Sequence, residues 1–339
     1  MRLVSRNEPH SVFCRNANSI PNQGILINTL SLQEAKDSSA IENIITTQDD
    51  LYRSDSRARQ FVTVAAKEVH SYATALNERF EQVKKSGLLT ERQILEIQST
   101  IEGNSAGFRK LPGTALKNDA TREVIYTPPQ SYEEIKPLMA NLEKFINDET
   151  LYDWDSLTKM AIIYHQFESI HPFYDGNGRT GRIINILYLV KQDLLKIPIL
   201  YLSRYINQTK STYYQLLQST RETKDWEAWI LYILQGVEQT SRETIESIEA
   251  IKGLMQSQKQ LIRTDLPKIY SQDLLNNLFR HPYTKIEFVM NELGVSRLTA
   301  TRYLDELVRI GLLDKQKMGR DNYYINVALY DLLGNVYQK

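Results

Sequence analysis

The dozen residues from His171 to Arg182, His-Pro-Phe-Tyr-Asp-Gly-Asn-Gly-Arg-Thr-Gly-Arg, limit what this chain can build more than any other stretch. An apolar run from Met160 to Ile170 ends at them, and a second, Ile183 to Val190, begins directly after. Both runs have to be buried, so the polar dozen is expected to be a loop held between two core helices. Pro172 disfavours the helical conformation at His171, which stops the first helix and leaves the imidazole at its end. Gly176 and Gly178 permit backbone conformations that a side chain blocks. They stand where the next helix begins, and unpaired N–H groups at a helix start favour an anion. Arg179 and Arg182, three apart, project to neighbouring positions with planar guanidinium groups that match phosphate oxygens. Asp175 is the one carboxylate among these donors. Beside a polyphosphate it needs a cation between them, and Mg²⁺ is commonly held by a carboxylate together with substrate phosphates. His171, with an ordinary pKa of about 6.5, can accept a proton near neutral pH. A base, a metal ligand and an anion cradle together point to a nucleotide.

The string His-Pro-Phe-x-Asp-Gly-Asn-Gly-Arg-x-x-Arg resembles the signature of the Fic domain family, with nine fixed positions matched without a gap. Relatives with this form of the motif transfer AMP from ATP to a hydroxyl on a protein. The resemblance implies that His171 deprotonates the target hydroxyl and that Phe173 anchors the loop. It makes Asp175 the Mg²⁺ ligand, Gly176, Asn177 and Gly178 the phosphate-binding turn, and Arg179 and Arg182 the holders of the β- and γ-phosphates. Upstream, Asp-Ser-Ser-Ala-Ile-Glu-Asn contains Ser38, Glu42 and Asn43 in the order of the family's inhibitory motif. The implied role of Glu42 is to pair with Arg182 and keep the γ-phosphate from seating.

The chain has 339 residues, of which 42% are hydrophobic, which allows two or three domains with real cores. Its 41 basic and 41 acidic side chains balance, so any attraction to nucleic acid has to be local. The single cysteine, Cys14, excludes an internal disulfide and a cysteine-based metal cage. There is neither a long apolar run nor an apolar signal segment, so the expected location is the cytoplasm, without membrane attachment.

In chain order, residues 1–30 read as an extended arm. Ser31-Leu-Gln-Glu34 has capping-box spacing and predicts a short helix to about Asn43. Phe61, Ala65, Val69, Ala73, Leu76, Phe80 and Val83 form a helical stripe ending near Gly87, and Thr90-Glu-Arg-Gln93 starts another helix. Between residues 103 and 130 glycines and prolines punctuate two short runs, Gly107 to Leu111 and Glu123 to Thr127, which read as a β-hairpin. The family places a target-holding flap here, with Phe108, Arg109 and Tyr126 as contact points. Helices resume over Tyr132–Asn147 and Asp155–Ile170, and His165 in the latter is read as structural. The segment from Tyr201 to Tyr214 resembles the family's adenine-pocket region. It carries Thr209-Lys210 where many relatives have Asn-Arg, and Tyr214 either borders the base or is a core tyrosine.

Beyond a connecting helix at 240–265, residues 266–339 read as helix, helix, turn, helix and two strands, the order of a winged helix-turn-helix. Arg297, Thr299, Thr301 and Arg302 would face a DNA groove, with Lys315, Lys317 and Arg320 on the wing. The basic and acidic residues nearly cancel, so a module for protein contact or dimerisation stands beside the DNA reading. The expected organisation is an N-terminal helical region at 1–102 with an inhibitory helix near 31–43, a catalytic core at 103–239, the connecting helix and the C-terminal module. The expected fold is mainly α with a hairpin flap. The expected chemistry is ATP- and Mg²⁺-dependent AMP transfer to a Ser, Thr or Tyr hydroxyl of a target protein or of the chain itself, with a homodimer as the expected assembly. Transfer of UMP or another phosphate-linked group, and a nucleotide-sensing transcriptional regulator, are the alternatives.

Overall fold

The computed structural model describes residues 23–54, 60–117, 121–318 and 321–335. Cys14, the residues before Gln23 and the wing residue Arg320 lie outside them. The chain divides into two units: one takes 31–46 and 63–242, the other 1–30, 47–62 and 243–339.

The first unit is built around the two apolar runs that bracket the polar loop. Its helices begin with α1 (Gln23–Ile41), which enters the unit at Ser31, followed by α3 (Val64–Ser86), α4 (Glu91–Glu102) and α5 (Tyr132–Asn147). Then come α6 (Ser156–Ile170), α7 (Asn177–Lys191), α8 (Leu202–Gln208), α9 (Lys210–Thr223) and the first part of α10 (Trp226–Asp265). Every residue of α7 from Ile183 to Val190 is buried, so it is the central rod of the unit. At Gly181 an added Cβ would come within 3.1 Å of Phe167 and 3.2 Å of Tyr164. The absent side chain therefore lets α6 and α7 approach closely. The stripe read for α3 is buried at Val69, Ala73, Leu76, Phe80 and Val83, and Gly87 ends the helix in the left-handed conformation. Thr90 and Gln93 form the expected capping box, and Ser131 with Glu134 forms another on α5.

Two local expectations are corrected. α1 begins at Gln23, eight residues before the expected start, because Ile25, Leu26 and Leu30 extend its buried side. Ser31 is then an interior residue, and its hydroxyl donates to Asn77 Oδ1 at 3.2 Å instead of capping the helix. The hairpin pairs β1 (Leu116–Lys117) with β2 (Val124–Tyr126), so its first strand lies beyond the Gly107–Leu111 run.

The second unit contains α2 (Gln48–Arg53), the later part of α10, α11 (Gln272–Arg280), β3 (Tyr283–Thr284), α12 (Ile286–Leu293), α13 (Arg297–Arg309), β4 (Asp314–Met318), β5 (Asp321–Ile325) and α14 (Val327–Asn335). The strands form an antiparallel sheet in the order β3-β5-β4, with Met318 opposite Asp321 at the wing. Gly294, with φ of 64°, makes the turn between α12 and α13. From α11 to β5 this is the order of helices, turn and paired strands expected from the sequence, with β3 in addition. Tyr283 and Tyr330 both donate to Asp49 Oδ1, at 2.7 and 2.9 Å, which fixes α2 in this unit. Among the described residues no helix is long and apolar enough to cross a membrane.

Candidate active site

α6 stops at Ile170, as Pro172 requires, and the chain leaves it through His171 in the left-handed region at φ 49°. That conformation is uncommon for a residue with a side chain and is held from both sides. The His171 N–H donates to the Phe167 carbonyl at 3.0 Å, and its own carbonyl accepts from Arg109 Nε at 2.8 Å. Arg109 is fully buried. Its guanidinium also donates to the carbonyls of Pro129 and Ile170, and its backbone N–H donates to Pro172 O at 2.9 Å. Phe108, also buried, packs on the Phe173 ring at 5.4 Å between centroids. These two residues therefore cannot meet a target as flap contacts. They supply donors to the unpaired carbonyls at the end of α6 and an apolar partner for the loop anchor. Tyr126 is half-buried, with its hydroxyl donating to Ser169 O at 2.9 Å and its ring 3.9 Å beneath the Arg221 guanidinium.

The loop itself is closed by Asn177. Its Oδ1 accepts from the Phe173 N–H and its Nδ2 donates to the Phe173 carbonyl, both at 2.9 Å. The side chain is buried, so Asn177 shapes the turn rather than offering that side chain to a ligand. Gly176 caps α7 at φ 76°, and an added Cβ there would stand 2.6 Å from Glu102 Oε1. The next residues, at the helix start, present their N–H groups where anions bind. Asp175 is exposed, and its Oδ1 accepts the Gly176 N–H at 2.7 Å. Among the described residues no group of three or more His, Cys, Asp or Glu could hold a metal. One exposed carboxylate at a phosphate cradle fits Mg²⁺, which takes substrate phosphates and water for its other positions.

Both arginines are buried and paired. Arg182 donates from Nε to Ser38 Oγ at 2.7 Å, and from Nη2 to Ser38 O at 3.0 Å and Glu42 Oε1 at 2.8 Å. Arg179 meets three carboxylates: Glu42 at 2.9 Å, Glu68 at 3.0 Å and Glu102 at 2.7 Å. Glu42 thus bridges the two arginines, where the motif resemblance implied a pair with Arg182 alone. Its Oε1 also stands 2.5 Å from where a Gly178 Cβ would be, so the carboxylate lies directly on the cradle. Asn43, at φ 62°, lies just beyond the end of α1, and its Oδ1 accepts from Lys210 Nζ at 3.3 Å. Tyr214 lies one turn after Lys210 on α9 and is 47% exposed, which excludes its reading as a core tyrosine.

Burial lowers the His171 pKa to about 4, reinforced by Arg109 and Arg221 and opposed by the Glu168 backbone and Asp175. The imidazole is therefore neutral, and able to accept a proton, throughout the physiological range. His165 is structural: its Nε2 lies 3.1 Å from Leu217 O, its ring packs on Trp226 and Trp229, and burial lowers it to about 4 as well. Beneath Arg182, burial raises Glu34 to about 8 and Glu168 to about 7. Glu34 accepts hydrogen bonds from Ser203 and Tyr72. The sequence reading missed Glu68, Glu102, Glu168 and Arg221, the buried role of Glu34 beneath Arg182, and the packing role of Arg109. Only Glu168 carried a signal, as a carboxylate on the apolar face of α6 four residues after Tyr164.

In the C-terminal module Arg297 and Arg302 are exposed on α13, and Thr299 is half-buried, its N–H donating to Ser296 Oγ at 3.3 Å. Lys315 is paired with Asp305 at 2.8 Å.

Family models match most of the described chain. Residues 88–189 match the Fic/DOC family, 14–81 the Fic/DOC family N-terminal region, and 254–329 the C-terminal domain of SoFic-like protein adenylyltransferases. The chain belongs to the Fic family. It is 28% identical over 183 residues to a probable protein adenylyltransferase of Aquifex aeolicus, covering 52% of this chain and 53% of that one. To a protein adenylyltransferase of Caenorhabditis briggsae it is 27% identical over 128 residues, 37% of this chain and 22% of the other. It therefore spans about half or less of the length of these curated relatives. A crystal structure of a Fic family protein from Desulfovibrio desulfuricans shares the fold with a TM-score of 0.53 at 18% identity, covering 96% of this chain and 98% of that one. Fic-1 (residues 134–508) from Caenorhabditis elegans aligns with a TM-score of 0.54 at 19% identity, over 70% of this chain and 69% of the other. The Fic loop of this chain is the segment from His171 to Arg182, inside the matched range.

Proposed function

We propose that this Fic protein transfers AMP from ATP to a Ser, Thr or Tyr hydroxyl of a protein, and that Glu42 holds the enzyme in a resting state. The observation that carries the reading is a half-buried, neutral imidazole at one end of a loop whose other end is a run of helix-start N–H groups backed by two buried arginines. His171 takes the proton of the attacking hydroxyl. The hydroxyl oxygen forms a bond to the α-phosphorus, the bond from that phosphorus to the β-phosphate oxygen breaks, and pyrophosphate departs with the electron pair. The N–H groups at the start of α7, with Arg179 and Arg182, receive the negative charge of the departing group. Asp175 is the residue that would hold Mg²⁺, which when bound supplies charge neutralisation and orientation of the phosphates. Tyr214 borders the adenine.

In the resting state Glu42 takes the two cations that a γ-phosphate needs. Its carboxylate and the γ-phosphate compete for the same guanidinium groups, and charge-assisted bonds in a buried cleft are strong. Ser38 holds Arg182 in the paired orientation. A panel of nucleotides labelled on the α-phosphate tests the assignment. Label from ATP should enter protein with the native chain or its Glu42→Gly variant and be lost in His171→Ala, while that variant still binds ATP. Transfer retained in His171→Ala excludes it as the base, and preferred transfer from UTP reassigns the donor.

A further inference from the structure

At the end of α6, one residue before His171, the fold contains a polar cavity of about 260 Å³, walled by Tyr126 and Pro129 from the flap region, Ser169 and Ile170 from α6, and Arg221 and Lys224 from the end of α9. None of the residues lining it is a carboxylate. Arg221 donates to Ser169 Oγ at 3.0 Å, Glu168 O at 3.1 Å and Gln218 Oε1 at 3.4 Å, all neutral acceptors, and stacks on the Tyr126 ring. A guanidinium has five N–H donors, so two remain for a further acceptor, the number a carboxylate engages. Lys224 uses one of its three donors on Arg221 O at 2.9 Å, which bends the ammonium back over the same cavity. Lys224 sits at φ 61°, holding this end of α9 in a fixed cap. Glu168, whose charge acts on Arg221, is buried and does not line the cavity, and neither do Glu222 and Asp225, which flank the two cations in sequence.

Two cations, no lining carboxylate and an aromatic plate make a site for an anion. Its position names the source. Two of its walls, Ser169 and Ile170, run directly into His171, and another, Tyr126, closes strand β2. The β2 residues Val124 and Ile125 are 55% and 45% exposed, an open apolar strand on which an extended segment can pair. A segment laid along β2 with its hydroxyl at His171 brings a neighbouring side chain over the cavity.

We propose that this cavity receives an Asp or Glu side chain of the target protein, a few residues from the modified hydroxyl, and that Arg221 and Lys224 make acidic flanking sequence a determinant of target choice. The proposal rests on the AMP-transfer reading for the identity of the segment, and its test separates the two. A random peptide library with a central Ser, Thr or Tyr is used twice with the full chain carrying Glu42→Gly. Capture on the immobilised protein without nucleotide reads the cavity. Labelling from ATP and Mg²⁺ reads the transfer. Captured peptides should be enriched several-fold in Asp or Glu at one fixed offset from the acceptor, labelled peptides should show the same offset, and Lys224→Ala and Arg221→Gln should bring both enrichments to about one. Arg221→Gln disturbs the packing on Tyr126, so Lys224→Ala, on an exposed side chain, is the deciding variant. Captured peptides without acidic enrichment, or with an enrichment that Lys224→Ala leaves intact, overturn the proposal. Acidic enrichment on capture with no labelling of any peptide leaves the cavity standing and counts against the transfer reading.

Discussion

Asn177 commits its whole side chain to one residue, Phe173, and that pair decides the shape of the Fic loop. Asn177→Ala leaves a buried N–H and a buried carbonyl without partners, at a cost of about 1–3 kcal/mol each. The melting temperature should fall by several degrees, and ATP binding should weaken because the amide cradle loses its form. Calorimetry and nucleotide titration check both effects. His171 sets the pH dependence. Its pKa lies near 4, below the ordinary value, so the base stays deprotonated as the pH falls from 7. The kcat/KM of Glu42→Gly should hold from neutral pH down to about 5 and decline only below that, and a half-point near the ordinary histidine value of about 6.5 contradicts it. Glu34 works in the opposite direction. Burial raises it from 4.5 to about 8, so the folded state holds a proton that the unfolded chain releases. Stability is then greatest at the acid end of this window and is lost as pH rises through about 8, with Glu168 acting likewise up to about 7. Glu34→Gln should flatten the fall in melting temperature across that range. At this scale the loop was legible because its residue types are rare together. Glu68 and Glu102 were not, because each sits on a separate helix, α3 or α4, and only the tertiary fold brings them to Arg179.

The end of α1, with Glu42 one residue beyond Ile41, is the element on which regulation is proposed to rest. Ser38 and Glu42, four residues apart, share a face, and that much the sequence displayed. The start of the helix was misread because a Ser-x-x-Glu spacing also occurs inside helices, and there Ser31 bonds to Asn77 on α3. The flap was misread in its first strand for a related reason: Phe108 and Arg109 have the alternation of a strand, but their side chains fill the space behind Phe173 and the end of α6. Ser38→Ala removes the bond to Arg182 Nε while Glu42 keeps its own two arginine contacts. Its transferase rate should fall between wild type and Glu42→Gly. A rate equal to wild type confines the resting state to Glu42 alone.

On the scale of the whole molecule, most of the helix order followed from hydrophobic period and turn residues, while the short elements α2, β3 and α14 carried no such signal. The assignment of residues 47–62 to the unit of the C-terminal module did not follow from them, since it depends on Tyr283 and Tyr330 meeting Asp49 across more than two hundred residues of sequence. The C-terminal module offers Arg297 and Arg302 on α13, and several of its other cations are already paired: Lys315 with Asp305, Arg309 with Glu306 and Arg280 with Glu292. If Arg297 and Arg302 face DNA, a labelled duplex should shift at low salt and release steeply as salt rises, and Arg297→Ala with Arg302→Ala should abolish the shift. No shift at low salt favours a module for protein contact. The central claim, a transferase held at rest by Glu42, is tested most directly by intact-protein mass spectrometry after incubation of wild type, Glu42→Gly and His171→Ala with ATP, Mg²⁺ and a Ser/Thr/Tyr protein mixture. Glu42→Gly loses two charge-assisted bonds, each worth about 1.5–3 kcal/mol, so AMP incorporation should rise by at least roughly tenfold in that variant, with none in His171→Ala. Equal incorporation in wild type and Glu42→Gly, or any in His171→Ala, contradicts the account.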